Sequence, residues 1–149
     1  MKKLFLTLSV ASVLFSCKQT ETKTIVEVAP IDSLMNNWNT AWSNHDSTAF
    51  RNSFTSDDVL LIDDKLIAQS ANDISEKWIH VYLPSVKDMK TETLQKWSSA
   101  DRAGITGKYG FDVVVKGSVV ANPKGIFTIN WIKATDGEWK ITTFNAHSF

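Results

Sequence analysis

The sequence has one cysteine, no surplus of either charge and no apolar run long enough to cross a membrane, and each absence excludes a class of protein. One cysteine allows no disulfide within the chain, so an oxidising compartment would be tolerated without being used. Lys and Arg total 16, as do Asp and Glu, and without a basic surplus nucleic acid is not an expected partner. A chain of 149 residues has room for about one domain with one core.

Motifs for metal, nucleophile and phosphate chemistry are also missing. The three histidines, at 45, 80 and 147, are scattered, and the acidic pairs at 57–58 and 63–64 lack the ligand spacing and central glycine of a calcium loop. No Gly-x-Ser-x-Gly motif occurs. The glycines at 104, 107 and 110 follow a predicted strand rather than opening a helix, so they form no phosphate loop. We therefore expect no metal and no cofactor.

The N-terminus carries the clearest motif. Lys2 and Lys3 precede an apolar run over residues 4–13, which is typical of a secretory signal peptide rather than a transmembrane helix. The following Leu14-Phe15-Ser16-Cys17 resembles the lipobox of bacterial lipoproteins. This resemblance implies cleavage before Cys17, diacylglycerol on its sulfur and usually a third acyl chain on its amino group, which together anchor a small domain stably. It predicts a lipid-anchored protein of the bacterial cell envelope, on the periplasmic or surface side; the alternative is an ordinary signal peptide with a chance cysteine.

The chain is accordingly divided into three parts. Residues 1–16 are the predicted lipoprotein signal peptide. Residues 17–30 are the predicted lipidated tether, because this segment is polar, poor in aromatic residues and ends in a proline. Residues 31–149 form the predicted domain.

Two short helices are predicted at the start of the domain. Apolar residues recur at three- and four-residue steps over Ile31–His45, which places one apolar stripe along a helix of about 14 residues. Asp46 can cap a second helix by accepting hydrogen bonds from its first-turn amides. Phe50 and Phe54 lie on the apolar stripe of that helix, which we expect to end at Asp57-Asp58.

A β-hairpin and a third helix follow. The aliphatic run Val59–Ile62 leads into Asp63-Asp64-Lys65, a sequence typical of a turn. Asp73 with Glu76 three residues later resembles a capping box. It predicts the start of a third helix that ends at or soon after Pro84.

From residue 88 the apolar period changes to two, which predicts strands. The predicted strands cover 89–99, 105–116, 119–121 with 126–134, and 138–147. Asn122-Pro123-Lys124-Gly125 fits a type I turn, and Thr135-Asp136-Gly137 fits a tight hairpin. Helices followed by an antiparallel meander indicate an α+β domain.

The order and spacing of several segments resemble the nuclear transport factor 2-like superfamily, which includes SnoaL-like polyketide cyclases and ketosteroid isomerases. The segments lie within residues 31–149 and are Trp42 to Asp46, Phe54 to Val59, Gly107 to Tyr109, Gly125 to Trp131 and Asp136 to Ile141. The resemblance implies a cone-shaped fold, in which three N-terminal helices pack on a curved antiparallel sheet and a pocket lies at the open end. Because such folds host enzymes, binding modules and dimerisation domains, function must be argued from the site.

Asp63 is the first candidate for chemistry. In ketosteroid isomerases an Asp-Asp pair opens a strand whose catalytic base lies five residues on, and the same count from Asp58 reaches Asp63. The resemblance also requires a tyrosine where this chain has Trp38, and a late-strand carboxylate that is missing between residues 112 and 136. The pattern therefore argues against isomerase activity. The simpler alternative is that Asp63 and Asp64 only form a hairpin turn.

His147 is the second candidate. Strand alternation places five residues of the last strand on one face: Trp139, Ile141, Thr143, Asn145 and His147. Because Trp139 and Ile141 are apolar and core-forming, we expect the same face to carry the three polar residues toward the pocket. The alternative is that a residue so close to the end of the sequence is frayed and solvated.

Aromatic residues complete the expected site. Trp97 and Tyr109 lie at strand positions where their rings could stack on a ligand, although an aromatic residue on a sheet more often packs in the core. The predicted ligand-binding residues are therefore Trp38, Asp63, Trp97, Tyr109, Thr143, Asn145 and His147.

These observations favour a lipid-anchored protein that binds a small, mostly apolar molecule in its cone. The first alternative is a cofactor-free cyclase, isomerase or dehydratase that uses Asp63 or His147 for proton transfer. The second is an association domain without ligand, whose cone is filled by its own tryptophans. We also expect a homodimer through the outer sheet face, where Ile132 and Phe144 are predicted to be exposed. An open pocket where Asp63 and His147 converge would favour the first two readings, and a filled cone the third.

Overall fold

The computed structural model describes residues 28–149. The predicted signal peptide, Cys17 and most of the predicted tether lie outside these residues. Within the described part of the chain, no helix has both the length and the apolar character needed to cross a membrane.

The first two helices are short and closely linked. Helix α1 spans Ile31–Ser43 and helix α2 spans Ser47–Asn52. Asp46 caps α2, since one oxygen of its carboxylate accepts a hydrogen bond from the Ala49 amide at 2.9 Å. This cap confirms the sequence-based prediction. The predicted end of the second helix is wrong, because strand β1 already begins at Phe54.

Strands β1 and β2 form the predicted hairpin, over Phe54–Ile62 and Lys65–Ala68. Asp63 and Asp64 connect them with φ angles of 48° and 62°. Two successive left-handed residues are what a two-residue hairpin turn requires, and aspartate tolerates this conformation better than most side chains. The hairpin is therefore confirmed.

Helix α3 is one helical segment with a π-helical interruption. It consists of α-helical Ala71–Ile74, π-helical Ser75–Ile79, α-helical His80–Tyr82 and a final 3₁₀ turn, Leu83–Ser85. The predicted capping box, with Asp73 as the N-cap residue, is wrong. The N-cap residue is Ser70, whose backbone is extended and whose hydroxyl accepts a hydrogen bond from the Asp73 amide at 3.1 Å. The wider π-turn leaves two adjacent side chains, Trp78 and Ile79, both buried.

The remaining strands complete a seven-stranded sheet. They are β3 (Val86–Ser98), β4 (Arg102–Val115), β5 (Ser118–Ala121), β6 (Lys124–Lys133) and β7 (Trp139–Ser148). The strand order is β2-β1-β7-β6-β4-β3, with β5 also paired to β4. Every pair is antiparallel except β1 with β7. Three helical segments on a curved sheet confirm the expected α+β architecture.

The type I turn predicted at residues 122–125 does not form. Strands β5 and β6 both pair antiparallel with β4, so they run in the same direction and the chain does not reverse between them. Asn122 and Pro123 link the two strands without reversing the chain, and the predicted type I turn is wrong. The turn before β7 is confirmed, since Gly137 has a φ of 87° and its amide donates to the Ala134 carbonyl at 2.9 Å.

A bulge in β7 changes which side chains face the core. Trp131 pairs with Ile141 and Asn130 with Thr143, so Thr142 is an extra residue without a partner in β6. Beyond it, Phe144 and Ala146 are buried, whereas Asn145 and His147 are exposed. The predicted uninterrupted alternation is therefore wrong, and Phe144 does not lie on the outer face.

The core is built around Trp38 of α1. Its ring centroid lies 4.8 Å from that of Phe50, 5.3 Å from Phe144 and 6.3 Å from Trp78. Edge-to-face and offset-stacked pairs at such distances add to the free energy gained by burial. These contacts fix the helices onto the sheet.

Asp58 is buried on β1 with no exposed surface. Neither of its carboxylate oxygens has a hydrogen-bond partner among residues 28–149. Burial raises the pKa of Asp58 from 3.8 to about 7. The backbone N–H of Asp58 itself opposes this rise, and the negative charge of Asp57 adds to it. Sequence reasoning placed this residue at a helix end and did not identify it as buried.

The first prediction concerns stability against pH. Because the folded chain holds the Asp58 proton more tightly than the unfolded chain does, stability should fall as pH rises from 3.8 to about 7. The loss attributable to this group is about 4 kcal/mol at most. Asp58→Asn should flatten the profile, as measured by urea unfolding across that range, and Asp64→Asn, at an exposed position of the hairpin turn, is the control. A profile unchanged by Asp58→Asn would contradict the assignment.

Candidate functional site

A cavity of about 370 Å³ opens at the wide end of the cone. It lies between α3, the β1–β2 hairpin and the inner face of the sheet. Its lining is mostly apolar and rich in aromatic rings: Trp38, Trp42, Ile62, Asp63, Ile67, Lys77, Trp78, Tyr82, Val86, Met89, Thr91, Tyr109, Phe111, Pro123, Phe127, Phe144, Ala146 and Ser148. The tryptophans therefore line the cone without filling it.

Three tryptophans of the lining come from two helices. Trp38 and Trp42 lie four residues apart on α1, and Trp78 comes from the π-helical part of α3. The rings of Trp42 and Trp78 are 5.6 Å apart and nearly perpendicular, at 82°. Because these residues are buried and pack on one another, this wall is already formed without a ligand.

The polar side of the cavity is a short chain of hydrogen bonds, which we call the rim network: Tyr109, Ser148 and Asp63. The Asp63 carboxylate accepts from the Ser148 amide at 2.6 Å and from the Ser148 hydroxyl at 3.3 Å. The Tyr109 hydroxyl lies 3.2 Å from the Ser148 hydroxyl. Since an ionised carboxylate can only accept, the Ser148 hydroxyl donates to Asp63 and the Tyr109 hydroxyl donates to Ser148.

His147 lies beside this network but outside the cavity. One ring nitrogen, Nδ1, is 3.8 Å from the Asp63 carboxylate, within ion-pair range and beyond hydrogen-bond range. The side chain is 54% exposed and belongs to the outer face of β7. Asp63 and His147 are thus close together, but only Asp63 lines the cavity.

The structure divides the seven predicted ligand-binding residues into two groups. Trp38, Asp63 and Tyr109 line the cavity. Thr143, Asn145 and His147 do not, because the bulge at Thr142 turns them to the other face of β7. Trp97 lies on the outer sheet face over Gly104, where an added methyl group would meet its indole nitrogen at 2.5 Å, so its predicted position in the pocket is also wrong.

Several lining residues were not predicted. Trp78 and Tyr82 lie four residues apart on α3, and their shared helix face was visible in the sequence. Ser148 could have been found only by knowing that β7 contains a bulge. Lys77 lines the cavity through its position in the π-helical turn, for which the sequence has no signal.

A second cavity of about 530 Å³ lies on the other side of Trp38, between α1, α2 and the β6–β7 hairpin. It is more open and its lining is more polar. No group of three or more His, Cys, Asp or Glu side chains that could hold a metal ion occurs within residues 28–149. The apolar cavity at the wide end is therefore the better candidate for a ligand site.

Comparison with known proteins identifies the fold. No family model and no curated protein matches the sequence. Among solved structures, a ketosteroid isomerase-like protein from Erwinia carotovora atroseptica SCRI1043 is 20% identical with a TM-score of 0.67, over 80% of this chain and 93% of that one. A nuclear transport factor 2-like superfamily protein from Salmonella enterica serovar Typhimurium LT2 is 13% identical with a TM-score of 0.67, over 79% and 87% of the two chains.

A third similar structure is a putative calcium/calmodulin-dependent protein kinase II association domain from Xanthomonas campestris. It is 20% identical with a TM-score of 0.62, and the match covers 80% of this chain and 85% of that one. The chain therefore has the nuclear transport factor 2-like fold, as the sequence resemblance implied. At these identities the comparisons establish the fold and not the activity.

The second prediction concerns the packing of the rim network. Gly125 of β6 lies directly under Tyr109, and an added methyl group would meet the Tyr109 hydroxyl at 2.7 Å and overlap the His147 carbonyl oxygen. Gly125→Ala should therefore destabilise the domain by about 1–3 kcal/mol. Gly110→Ala is the control, because the nearest atom there, a Lys124 side-chain carbon, is 3.5 Å away. Equal melting temperatures for the two variants would contradict the rim geometry.

Proposed function

We propose that this chain is a lipid-anchored protein of the bacterial cell envelope whose SnoaL-like domain binds a small, mostly apolar molecule in its cone. The observation that supports binding is the open cavity of about 370 Å³, lined by aromatic rings with a polar rim on one side. The support for lipid anchoring is the sequence motif that ends at Cys17.

The dimensions and chemistry of the cavity suit such a ligand. Small-molecule sites commonly enclose about 300–1,000 Å³ and combine an apolar lining with a few polar groups that fix orientation. Here the apolar lining would supply most of the affinity through burial of ligand surface. The rim network of Tyr109, Ser148 and Asp63 would set which end of the ligand faces out.

A cofactor-free proton-transfer enzyme is the second candidate. Asp63 lines the cavity and lies 3.8 Å from His147, which supports a role for the pair in moving a proton. One structural neighbour is named as ketosteroid isomerase-like, which supports this candidate at the level of the fold only. Binding is preferred because it uses the whole lining, whereas catalysis would rest on one carboxylate and a histidine outside the cavity.

Homodimer formation through the outer sheet face remains a proposal that is compatible with ligand binding. Phe144 no longer supports it, because this side chain is buried against Trp38. Trp97 supports it instead, since its ring is half exposed on the outer face. A cone that is open argues against association as the whole function.

The third prediction tests ligand binding. Ala146 is small, buried and part of the cavity lining, so Ala146→Leu should fill space that a ligand needs. We expect N-phenyl-1-naphthylamine, an uncharged apolar dye, to fluoresce more strongly on binding the native protein. Ala146→Leu should weaken this binding at least about tenfold, the effect of about 1.4 kcal/mol.

Asn145→Leu is the matched control, because this neighbour in β7 is exposed on the opposite face. Circular dichroism should show that both variants are folded. If the dye does not bind the native protein, or if both variants bind it equally well, the proposed function is wrong.

The fourth prediction tests the anchor. Because attachment rests on one thiol, Cys17→Ser should move the protein from the membrane fraction to the soluble fraction without changing its melting temperature. Fractionation of cells that express each form, followed by immunoblotting, provides the measurement. A Cys17→Ser protein that stays fully membrane-bound would contradict lipid anchoring.

A further inference from the structure

We infer that the ligand of this cavity carries a protonated amine, which binds Asp63 at the rim while its apolar body lies among the aromatic rings. This inference rests on the proposed function and adds the chemical class of the ligand.

The charges of the lining support a cationic ligand. Asp63 and Lys77 are the charged residues of the lining. The Lys77 ammonium is already paired with Asp73 at 2.8 Å. Asp63 forms no ion pair with a lysine or arginine in the described part of the chain, and its nearest basic group is His147 at 3.8 Å. The uncompensated charge at the cavity is therefore negative.

The hydrogen bonds of the rim network lead to the same class. Its donors are used internally, since the Tyr109 hydroxyl points to Ser148 and both Ser148 donors point to Asp63. A carboxylate has about four acceptor positions, so roughly two remain on Asp63 for a ligand. An ammonium group offers up to three donors, and charge-assisted hydrogen bonds of this kind are about twice as strong as neutral ones. A ligand carboxylate would instead meet another acceptor.

The rings near the rim also suit a cation. Tyr109, a member of the rim network, stacks on Phe111 with ring centroids 5.8 Å apart, and both line the cavity. Tyr82, which is half exposed, lines it from the side of α3. A cation near the faces of aromatic rings is attracted by their negative potential, in addition to its attraction to a carboxylate.

The test compares three probes with the same naphthyl body and different heads. These are 2-(1-naphthyl)ethylamine, 2-(1-naphthyl)ethanol and 1-naphthylacetate, titrated into the purified full chain at pH 7.5 in an isothermal titration calorimeter. The amine should bind at least about tenfold more tightly than the alcohol, and the acetate should bind most weakly.

Two variants locate the effect. Asp63→Asn removes the charge, and asparagine accepts the positive φ of 48° at this turn, so the fold should be kept. It should abolish the preference for the amine over the alcohol. Asp64→Asn is the matched control, because it removes the same charge from the next turn position, which does not line the cavity.

Three outcomes would overturn the inference. Equal affinities for all three probes would show that the head group does not contribute to binding. An equal loss in Asp63→Asn and Asp64→Asn would show a diffuse electrostatic effect. If the acetate binds most tightly and Lys77→Gln removes this preference, the ligand carries a negative charge that Lys77 binds. In each case binding of the uncharged dye would still support the proposed function, whereas failure of both dye and probes would remove both proposals.

Discussion

The bulge at Thr142 in β7 determines what lines the cavity. Without this one extra residue, the side chains of β7 would alternate regularly between the two faces of the sheet. Thr143, Asn145 and His147 would then lie on the same face as Ile141, inside the cone. With it, Phe144 and Ala146 face inward, which allows Phe144 to stack on Trp38. The backbone of β7 also runs on to bring the Ser148 amide to Asp63. An apolar cavity with a single polar side follows from this local change of register.

The aromatic cluster around Trp38 has two roles. It joins α1, α2, α3 and the sheet through ring contacts, and it also forms the inner wall of the cavity. Because Trp38 lines the cavities on both of its sides, its ring separates the apolar space at the wide end from the more polar one. Close packing in this layer keeps the cavity open, since the rings are held by one another and do not need a ligand to hold them. Structure and proposed function thus depend on the same side chains.

The sequence predicted the elements better than it predicted their faces. Local signals were sufficient for the Asp46 cap and the Asp63-Asp64 hairpin, because both depend on neighbouring residues. Long-range pairing decided the rest. Phe54 fits a helix stripe, but pairing with β7 makes it the start of a strand, which in turn buries Asp58. The bulge at Thr142 leaves no trace in residue type, so three of the predicted site residues were placed on the wrong face and Ser148 was missed.

The central claim is that a small apolar molecule binds among the tryptophans of α1 and α3. A ¹H–¹⁵N spectrum tests this claim directly through the indole N–H signals of the six tryptophans. During titration with N-phenyl-1-naphthylamine, the signals of Trp38, Trp42 and Trp78 should move, because these residues line the cavity. The signal of Trp97, on the outer face, should stay in place. Movement of Trp97 alone, or no movement of the three lining tryptophans at saturating dye, would contradict the account.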